Sequence, residues 1–223
     1  MIKAVIFDMD GTLLDTESIG VVAWRNTAKA LGLPLDRVMT ALSCLRGGNP
    51  QDSRLYFERE MADLITYDDF IAERSKHTRA EVERLGGIPL KAGLHELFAY
   101  LKTNHIRIAL ATSTPKEKAT QNLERTGLLG DFDVIVTGDM VENGKPHPEI
   151  FLTAARMLGL APSECMGVED STAGVRSIAA AEMFCVMIPD MVEPTPEIEA
   201  LLDVKCARLD DLIGVLAQLN LQK

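Results

Sequence analysis

The chain contains at residues 3–8 the run KAVIFD, which is apolar almost throughout and ends in an aspartate. Runs without polar alternation are typical of strands that are covered on both faces of a sheet. Four similar runs follow: IRIALAT at 106–112, DVIVTG at 133–138, ECMGVED at 164–170 and MFCVMIP at 183–189. Amphipathic helical spacing marks the segments between the runs, at 93–104, 115–127, 147–159 and 172–181. This alternation predicts an α/β fold, a doubly wound parallel sheet.

Almost one hundred residues separate the first run from the second, far more than one crossover helix requires. Within this stretch, segments 17–31, 35–45 and 67–85 have helical periodicity and no strand signal. Turn-rich sequences flank it, DTES at 15–18 and GGIP at 86–89. We therefore expect a core domain made of residues 1–15 and 90–223, with a small helical domain inserted at 16–89.

Composition and charge exclude several classes of protein. The 223 residues are 47% hydrophobic and 25% charged, as in an ordinary globular protein. A net charge of −10 argues against nucleic acid or an anionic membrane surface as a partner. No apolar run approaches the roughly 18 residues of a membrane-spanning helix. We expect a cytoplasmic protein that is a monomer.

The cysteines and histidines do not indicate a zinc site. The four cysteines are far apart in the sequence and form no C-x-x-C pair, so we expect reduced and mostly buried thiols. The four histidines show neither an H-E-x-x-H pattern nor helical ligand spacing. A hard metal ion with oxygen ligands remains compatible with the sequence.

The first run leads into Asp8-Met9-Asp10-Gly11-Thr12. Two carboxylates two positions apart at a strand end can face the same side, and Gly11 permits a sharp turn beside them. Their repulsion is roughly 4 kcal/mol at ~4 Å with an effective dielectric near 20. A divalent cation would relieve it. A calcium turn or a solvated acidic loop is the alternative, although the EF-hand pattern places its glycine at the sixth position rather than the fourth.

Two other strand ends carry groups that suit an anion. The second run leads into Thr112, Ser113 and Thr114, whose hydroxyls and backbone N–H groups precede a helix with Pro115 at its first position. The alternative is an ordinary N-cap. Lys145 lies between turn formers at a helix entrance, where a cation is unfavourable to the helix dipole. It either serves the site or is simply solvated.

The fourth run ends in a second acidic pair, Glu169 and Asp170. Asp170 could also cap the following helix. All four segments nevertheless lie at the same edge of the predicted sheet, where ligands of such sheets bind. Together they supply metal ligands, a nucleophile, hydroxyl donors and a cation, which favours one site over four coincidences.

This set of motifs, in this order, resembles the haloacid dehalogenase superfamily of phosphotransferases. The four motifs are FDMDGTLLDT, ATS, GKPHPEIF and GVEDSTAG. The resemblance covers the entire chain, and the helical insert occupies the place of that family's cap domain.

The resemblance implies a role for each motif residue. Asp8 would be the nucleophile that forms an aspartyl phosphate, and Asp10 the general acid and then the general base. Thr112 and the Ser113 amide would hold phosphate oxygens. Lys145 would neutralise the nucleophile and the phosphoryl group, and we expect its charge to serve anion binding rather than stability.

The resemblance also implies Mg²⁺ as the cofactor. Asp8, Asp170 and the carbonyl of Asp10 would bind the ion. Glu169 would either bind the ion directly or contact the groups that do. The carboxylates outnumber the one lysine, so a phosphate dianion would be repelled without the metal. We therefore expect the metal to be obligatory.

Within the superfamily, Asp10 argues against the metal-independent dehalogenases, which lack it. β-Phosphoglucomutase is the nearest alternative, but it carries a histidine after the first motif and an arginine in the cap loop, where this chain has Gly20 and Pro50. The loop at 45–50 retains Arg46 and Gly47 as expected substrate contacts. A phosphatase is therefore the better interpretation.

The expected substrate is a small phosphorylated metabolite. The chain resembles bacterial sugar phosphatases, particularly the 6-phosphogluconate phosphatase type, which favours a sugar or sugar-acid phosphate. Nucleotides and phosphoglycolate remain open. A non-enzymatic phosphate-binding module on this fold would be expected to lack Asp8, Asp10 or Lys145, and all three are present.

Overall fold

The computed structural model describes residues 1–45 and 50–221 of the chain. These divide into two compact units, one formed by residues 1–15 together with 89–223 and the other by residues 16–88. We call the first the core unit and the second the inserted unit. No helix in the described ranges is long and apolar enough to cross a membrane.

The core unit contains a six-stranded parallel sheet with the strand order β3-β2-β1-β4-β5-β6. Its strands are β1 (Ala4–Phe7), β2 (Arg107–Thr112), β3 (Val134–Thr137), β4 (Cys165–Glu169), β5 (Phe184–Met187) and β6 (Val204–Lys205). The predicted doubly wound parallel sheet is confirmed, and each of the five apolar runs contains a strand. β6 was not predicted, because two residues are too few to produce a periodic signal.

The inserted unit is helical. Its helices are α1 (Thr16–Ala30), α2 (Leu35–Leu45), α3 (Pro50–Glu60) and α4 (Tyr67–Leu85). Trp24, Phe57 and Phe70 pack at its centre, with ring centroids 4.7 Å apart for Trp24 and Phe70 and 4.9 Å apart for Phe57 and Phe70. Aromatic packing thus holds this unit together although aromatic residues are only 5% of the chain.

The helices of the core unit follow the strands in alternation. They are α5 (Leu94–Thr103), α6 (Lys116–Thr126), α7 (Glu149–Leu158), α8 (Thr172–Ala180), α9 (Pro196–Glu199) and α10 (Asp211–Leu221). Ile150 and Phe151 of α7 belong to one buried cluster with Ile6, Ala109 and Val136 of three neighbouring strands. This packing supports the strand ends from which the polar motifs project.

All four cysteines are free, as predicted. Cys165, Cys185 and Cys206 are buried, and Cys44 is exposed. Burial raises the pKa of each buried thiol, to about 11 for Cys165 and Cys206 and about 12 for Cys185. These three side chains therefore remain protonated near neutral pH and serve packing.

Candidate active site

The candidate site lies at the carboxyl end of β1, which pairs with β2 on one side and β4 on the other. Asp8 follows β1 directly, and its N–H donates to the carbonyl of Val168 in β4 at 3.0 Å. Thr112 ends β2 and Glu169 ends β4. The strand order therefore brings residues from three separate motifs to one edge of the sheet, where parallel sheets bind ligands.

Lys145 connects the ends of β1, β2 and β4. Its Nζ lies 2.6 Å from Asp8 Oδ1 and 2.7 Å from Glu169 Oε1, and it donates to the carbonyl of Ala111 at 2.9 Å. The side chain is only 6% exposed, so the alternative of a solvated lysine is wrong. Its removal would leave the buried carboxylate of Glu169 without a counter-charge and Asp8 without a hydrogen-bond donor, which is destabilising. The expectation that the charge of Lys145 does not serve stability is therefore wrong.

Burial and the neighbouring charges oppose each other in both members of the pair. Burial raises the pKa of Asp8 to about 8, in opposition to the ammonium of Lys145, and the carboxylates of Glu169 and Asp10 add to the rise. For Lys145, burial by itself lowers the pKa, but the carboxylates of Asp8 and Glu169 outweigh it and the pKa rises. Lys145 therefore remains charged, whereas Asp8 needs further positive charge to stay ionised at neutral pH.

The side chain of Asp170 is directed to the loop after β1. Thr12 Oγ1 donates to Asp170 Oδ1 at 3.0 Å. Gly11 has a φ of 88°, and a Cβ there would lie 2.4 Å from Asp170 Oδ2, so this position requires glycine. The alternative that Asp170 caps α8 is wrong, because Ser171 is the N-cap and its Oγ accepts from the N–H of Gly174 at 3.1 Å.

Three carboxyl groups lie close enough together to hold a metal ion. Asp8, Glu169 and Asp170 each offer an oxygen, and these oxygens lie within 4.8 Å of one another. An all-oxygen donor set suits a hard cation such as Mg²⁺. Glu169 already accepts from Lys145 through Oε1, and its Oε2 accepts from two backbone N–H groups and the hydroxyl of Ser171. These contacts favour Asp8 and Asp170 over Glu169 as direct ligands.

The second motif brings one of its hydroxyls to Asp10. Thr114 Oγ1 donates to Asp10 Oδ2 at 2.7 Å. Thr112 is buried, and its Oγ1 accepts from the N–H of Thr114 at 3.1 Å, an arrangement in which its own proton can be donated to a ligand. Ser113 is exposed in the same turn. Pro115 is the N-cap of α6 rather than its first residue.

Three residues with hydroxyl side chains form hydrogen bonds to carboxylates of the predicted site, although the sequence assigns no individual role to any of the three. Thr12 binds Asp170, Thr114 binds Asp10, and Ser171 binds Glu169. Each lies within two positions of a residue that the motifs singled out. A hydroxyl adjacent to a motif residue was therefore the available signal, but its partner depends on the tertiary structure.

The two predicted substrate contacts of the insert, Arg46 and Gly47, lie outside the described residues. Pro50 is the first residue of α3, and its side chain is likewise outside the description. The described part of the site therefore belongs to the core unit. Asp8, Asp10, Thr112, Lys145, Glu169 and Asp170 all lie there.

The chain is similar to known hydrolases and phosphoryl-transfer proteins. A family model for haloacid dehalogenase-like hydrolases matches residues 2–182, a range that includes the whole inserted unit. A phosphorylated carbohydrates phosphatase of Thermotoga maritima is 36% identical over 186 residues, covering 80% of this chain and 81% of that protein. A β-phosphoglucomutase of Bacillus subtilis is 33% identical over 187 residues, covering 82% of each. The solved structure of CbbY from Rhodobacter sphaeroides in complex with phosphate has a TM-score of 0.74 at 28% identity, covering 95% of this chain and 96% of that one.

Proposed function

Because this chain belongs to the haloacid dehalogenase-like hydrolase family, we propose that it is a Mg²⁺-dependent phosphatase of a small phosphorylated sugar or sugar acid. The observation that carries this proposal is the buried pair of Asp8 and Lys145 at the carboxyl edge of the sheet, with 2.6 Å between Oδ1 and Nζ. A carboxylate beside a fixed cation can attack a phosphoryl group whose charge the same cation balances.

In this proposal Asp8 is the nucleophile, and Asp10 is the general acid and then the general base. A carboxylate oxygen of Asp8 forms a bond to phosphorus while the bond from phosphorus to the leaving oxygen breaks, and Asp10 gives that oxygen a proton. Asp10 then takes a proton from water as the water oxygen attacks phosphorus. The bond to Asp8 breaks, inorganic phosphate leaves, and both carboxyl groups return to their starting state.

The remaining motif residues bind and orient the phosphate. The hydroxyl of Thr112 and the amide of Ser113 donate to its oxygens, and Lys145 balances its charge. Asp8, Asp170 and the carbonyl of Asp10 would hold Mg²⁺, which would supply positive charge next to the phosphoryl oxygens. Glu169 holds Lys145 in place at 2.7 Å.

Phosphate release from a panel of metabolites tests the proposal. We expect sugar and sugar-acid phosphates, with 6-phosphogluconate as the first compound to assay, to have higher kcat/KM values than nucleotides or phosphoglycolate. EDTA should lower release to the level of an Asp8→Asn blank, and added Mg²⁺ should restore it, because the carboxylates otherwise repel the dianion. Release that persists in EDTA would contradict the metal requirement, and a preference for nucleotides would contradict the substrate class.

The affinity of the metal-free protein for Mg²⁺ should depend on pH. Since the pKa of Asp8 is raised to about 8, a proton competes with the metal for this carboxylate below that pH. We expect the affinity to increase up to about tenfold per pH unit between pH 6 and 8 and to level off above, as for a single competing proton. Calorimetric titrations in buffers of different ionisation enthalpy would measure both the affinity and the proton released. An affinity independent of pH across this range would contradict the prediction.

A phosphoglucomutase activity is the second candidate, favoured by the similarity to the Bacillus subtilis mutase. A mutase must keep its aspartyl phosphate from water until the second sugar hydroxyl arrives. The resemblance places Gly20 and Pro50 where a mutase carries a histidine and an arginine, and neither has a side chain that relays a proton or anchors a second phosphate.

The two candidates differ in their product. β-Glucose 1-phosphate with a sugar bisphosphate primer should give no net isomerisation, whereas a preferred sugar phosphate should release inorganic phosphate stoichiometrically. Coupled detection of glucose 6-phosphate, run beside a phosphate assay, separates the outcomes. Efficient formation of glucose 6-phosphate without phosphate release would establish the mutase instead.

A further inference from the structure

The hydroxyl of Thr114 is presented to Asp10 by a firmly held piece of backbone. The N–H of Thr114 donates to Thr112 Oγ1 at 3.1 Å, and its carbonyl accepts from the N–H of Gly138 at 3.3 Å. A Cβ on Gly138 would lie 2.3 Å from the carbonyl oxygen of Ser113, so the loop after β3 packs directly against this turn. The position of the hydroxyl is thereby set by two neighbouring strands, β2 and β3.

The Thr114 hydroxyl donates a hydrogen bond to one of the two oxygens of the Asp10 carboxyl group. Thr114 Oγ1 donates to Oδ2 at 2.7 Å, and among the described residues no hydrogen bond to Oδ1 is seen. A carboxyl group can rotate about its Cβ–Cγ bond, and a donor fixed at one oxygen holds the plane of the group. The other oxygen is then the one that can approach a ligand.

We propose that Thr114 is a positioning residue that holds Asp10 through Oδ2, so that Oδ1 is the oxygen that exchanges protons with the leaving group and with water. This inference rests on the proposed function, because it assigns the acid and base step of that reaction. The proton passes from Oδ1 to the leaving oxygen as the phosphorus–oxygen bond breaks. Oδ1 later receives a proton from the attacking water, and Thr114 keeps its own proton throughout.

The consequence depends on the leaving group. A sugar alkoxide is a poor leaving group and needs the proton from Asp10, whereas a nitrophenolate leaves readily without one. Loss of the Thr114 hydroxyl should therefore reduce kcat/KM for sugar phosphates more than for p-nitrophenyl phosphate. A merely structural role would reduce both equally.

The test is Thr114→Val, which keeps the shape of the side chain and removes the hydroxyl. We expect the ratio of kcat/KM for the preferred sugar phosphate to kcat/KM for p-nitrophenyl phosphate to fall about tenfold or more, part of the 10²–10⁴-fold that acid–base catalysis contributes. Thr114→Ser should restore most of this ratio. Thr137→Val is the matched control, since Thr137 is a threonine at the end of β3 whose hydroxyl likewise donates to an aspartate, Asp139, at 2.6 Å.

The outcomes separate this inference from the proposed function. An unchanged ratio in Thr114→Val, or an equal change in Thr137→Val, would overturn the role of Thr114 while leaving the phosphatase intact. Failure of Thr114→Ser to restore the ratio would also overturn it. A wild-type protein that releases no more phosphate than Asp8→Asn from any compound would overturn the proposed function itself, and this inference with it.

Discussion

Asp8→Asn should abolish phosphatase turnover, with kcat reduced about 10⁴-fold or more, the scale seen when a covalent nucleophile is removed. An amide keeps the size of the side chain but cannot form the aspartyl phosphate. The measurement is phosphate release under saturating substrate and Mg²⁺. Turnover that survives this substitution would show that another group attacks phosphorus.

The loss should not come from unfolding. The raised pKa of Asp8 means that the folded protein holds a proton which the unfolded chain releases above about pH 4, so this group lowers stability as pH rises from about 4 to about 8. Asn removes that penalty. The metal-free variant should therefore melt at or above the temperature of the wild type at pH 7.

A matched control is available at the opposite end of the sheet. Asp133 precedes β3 at its amino end, where its Oδ2 accepts from the N–H of Ile108 at 2.8 Å. Asp133→Asn makes the same chemical change far along the strands from the site and should keep kcat within about twofold, in keeping with substitutions away from catalytic groups. A comparable loss in this control would mean that the assay reports folding rather than chemistry.

Lys145→Met should reduce kcat/KM by about 10²–10³-fold, equivalent to electrostatic contributions of about 3–4 kcal/mol at such sites. It should also lower the free energy of unfolding by about 3–5 kcal/mol, since the buried carboxylate of Glu169 loses its counter-charge and Asp8 loses a hydrogen-bond donor. Mg²⁺ should recover part of the stability, because it also balances those charges, but not the activity. Steady-state kinetics and denaturant unfolding with and without Mg²⁺ measure the two effects separately.

Lys205→Met is the matched control for that substitution. Lys205 also faces two carboxylates, with Nζ 3.1 Å from Glu199 and 3.6 Å from Glu193, but its side chain is 44% exposed. Exposed pairs contribute about 0–1 kcal/mol, so this variant should keep both stability and kcat/KM close to those of the wild type. If Lys145→Met behaved like Lys205→Met, the pair at the candidate site would have no special role.

The elements that could be predicted are those with a strong local signal. β1, with all four residues buried, and β4, with all five buried, came from apolar runs that only a strand covered on both faces explains. α3 was not predicted, because it is rich in charged residues and lacks a clear apolar stripe. Burial of a long segment is visible in the sequence, whereas a helix with a weak stripe is not.

From the sequence alone, the parallel sheet and the set of polar residues at the strand ends could be predicted, and a helical insert was expected. The spacing of residues along a strand decides which side chains lie on the same face at its end. Only the tertiary structure decided their partners. The strand order places Asp8 between Thr112 and Glu169. Lys145 is buried against the carboxyl groups of Asp8 and Glu169, whereas the sequence left a solvated lysine as an alternative. The tertiary structure also makes Ser171 the N-cap of α8 and places Asp170 where it accepts a hydrogen bond from Thr12 Oγ1.

Hydrogen bonds between residues more than one hundred positions apart, such as the one from Thr114 to Asp10, depend on which strands are neighbours. The order of the strands is a property of the whole packed sheet rather than of any one segment.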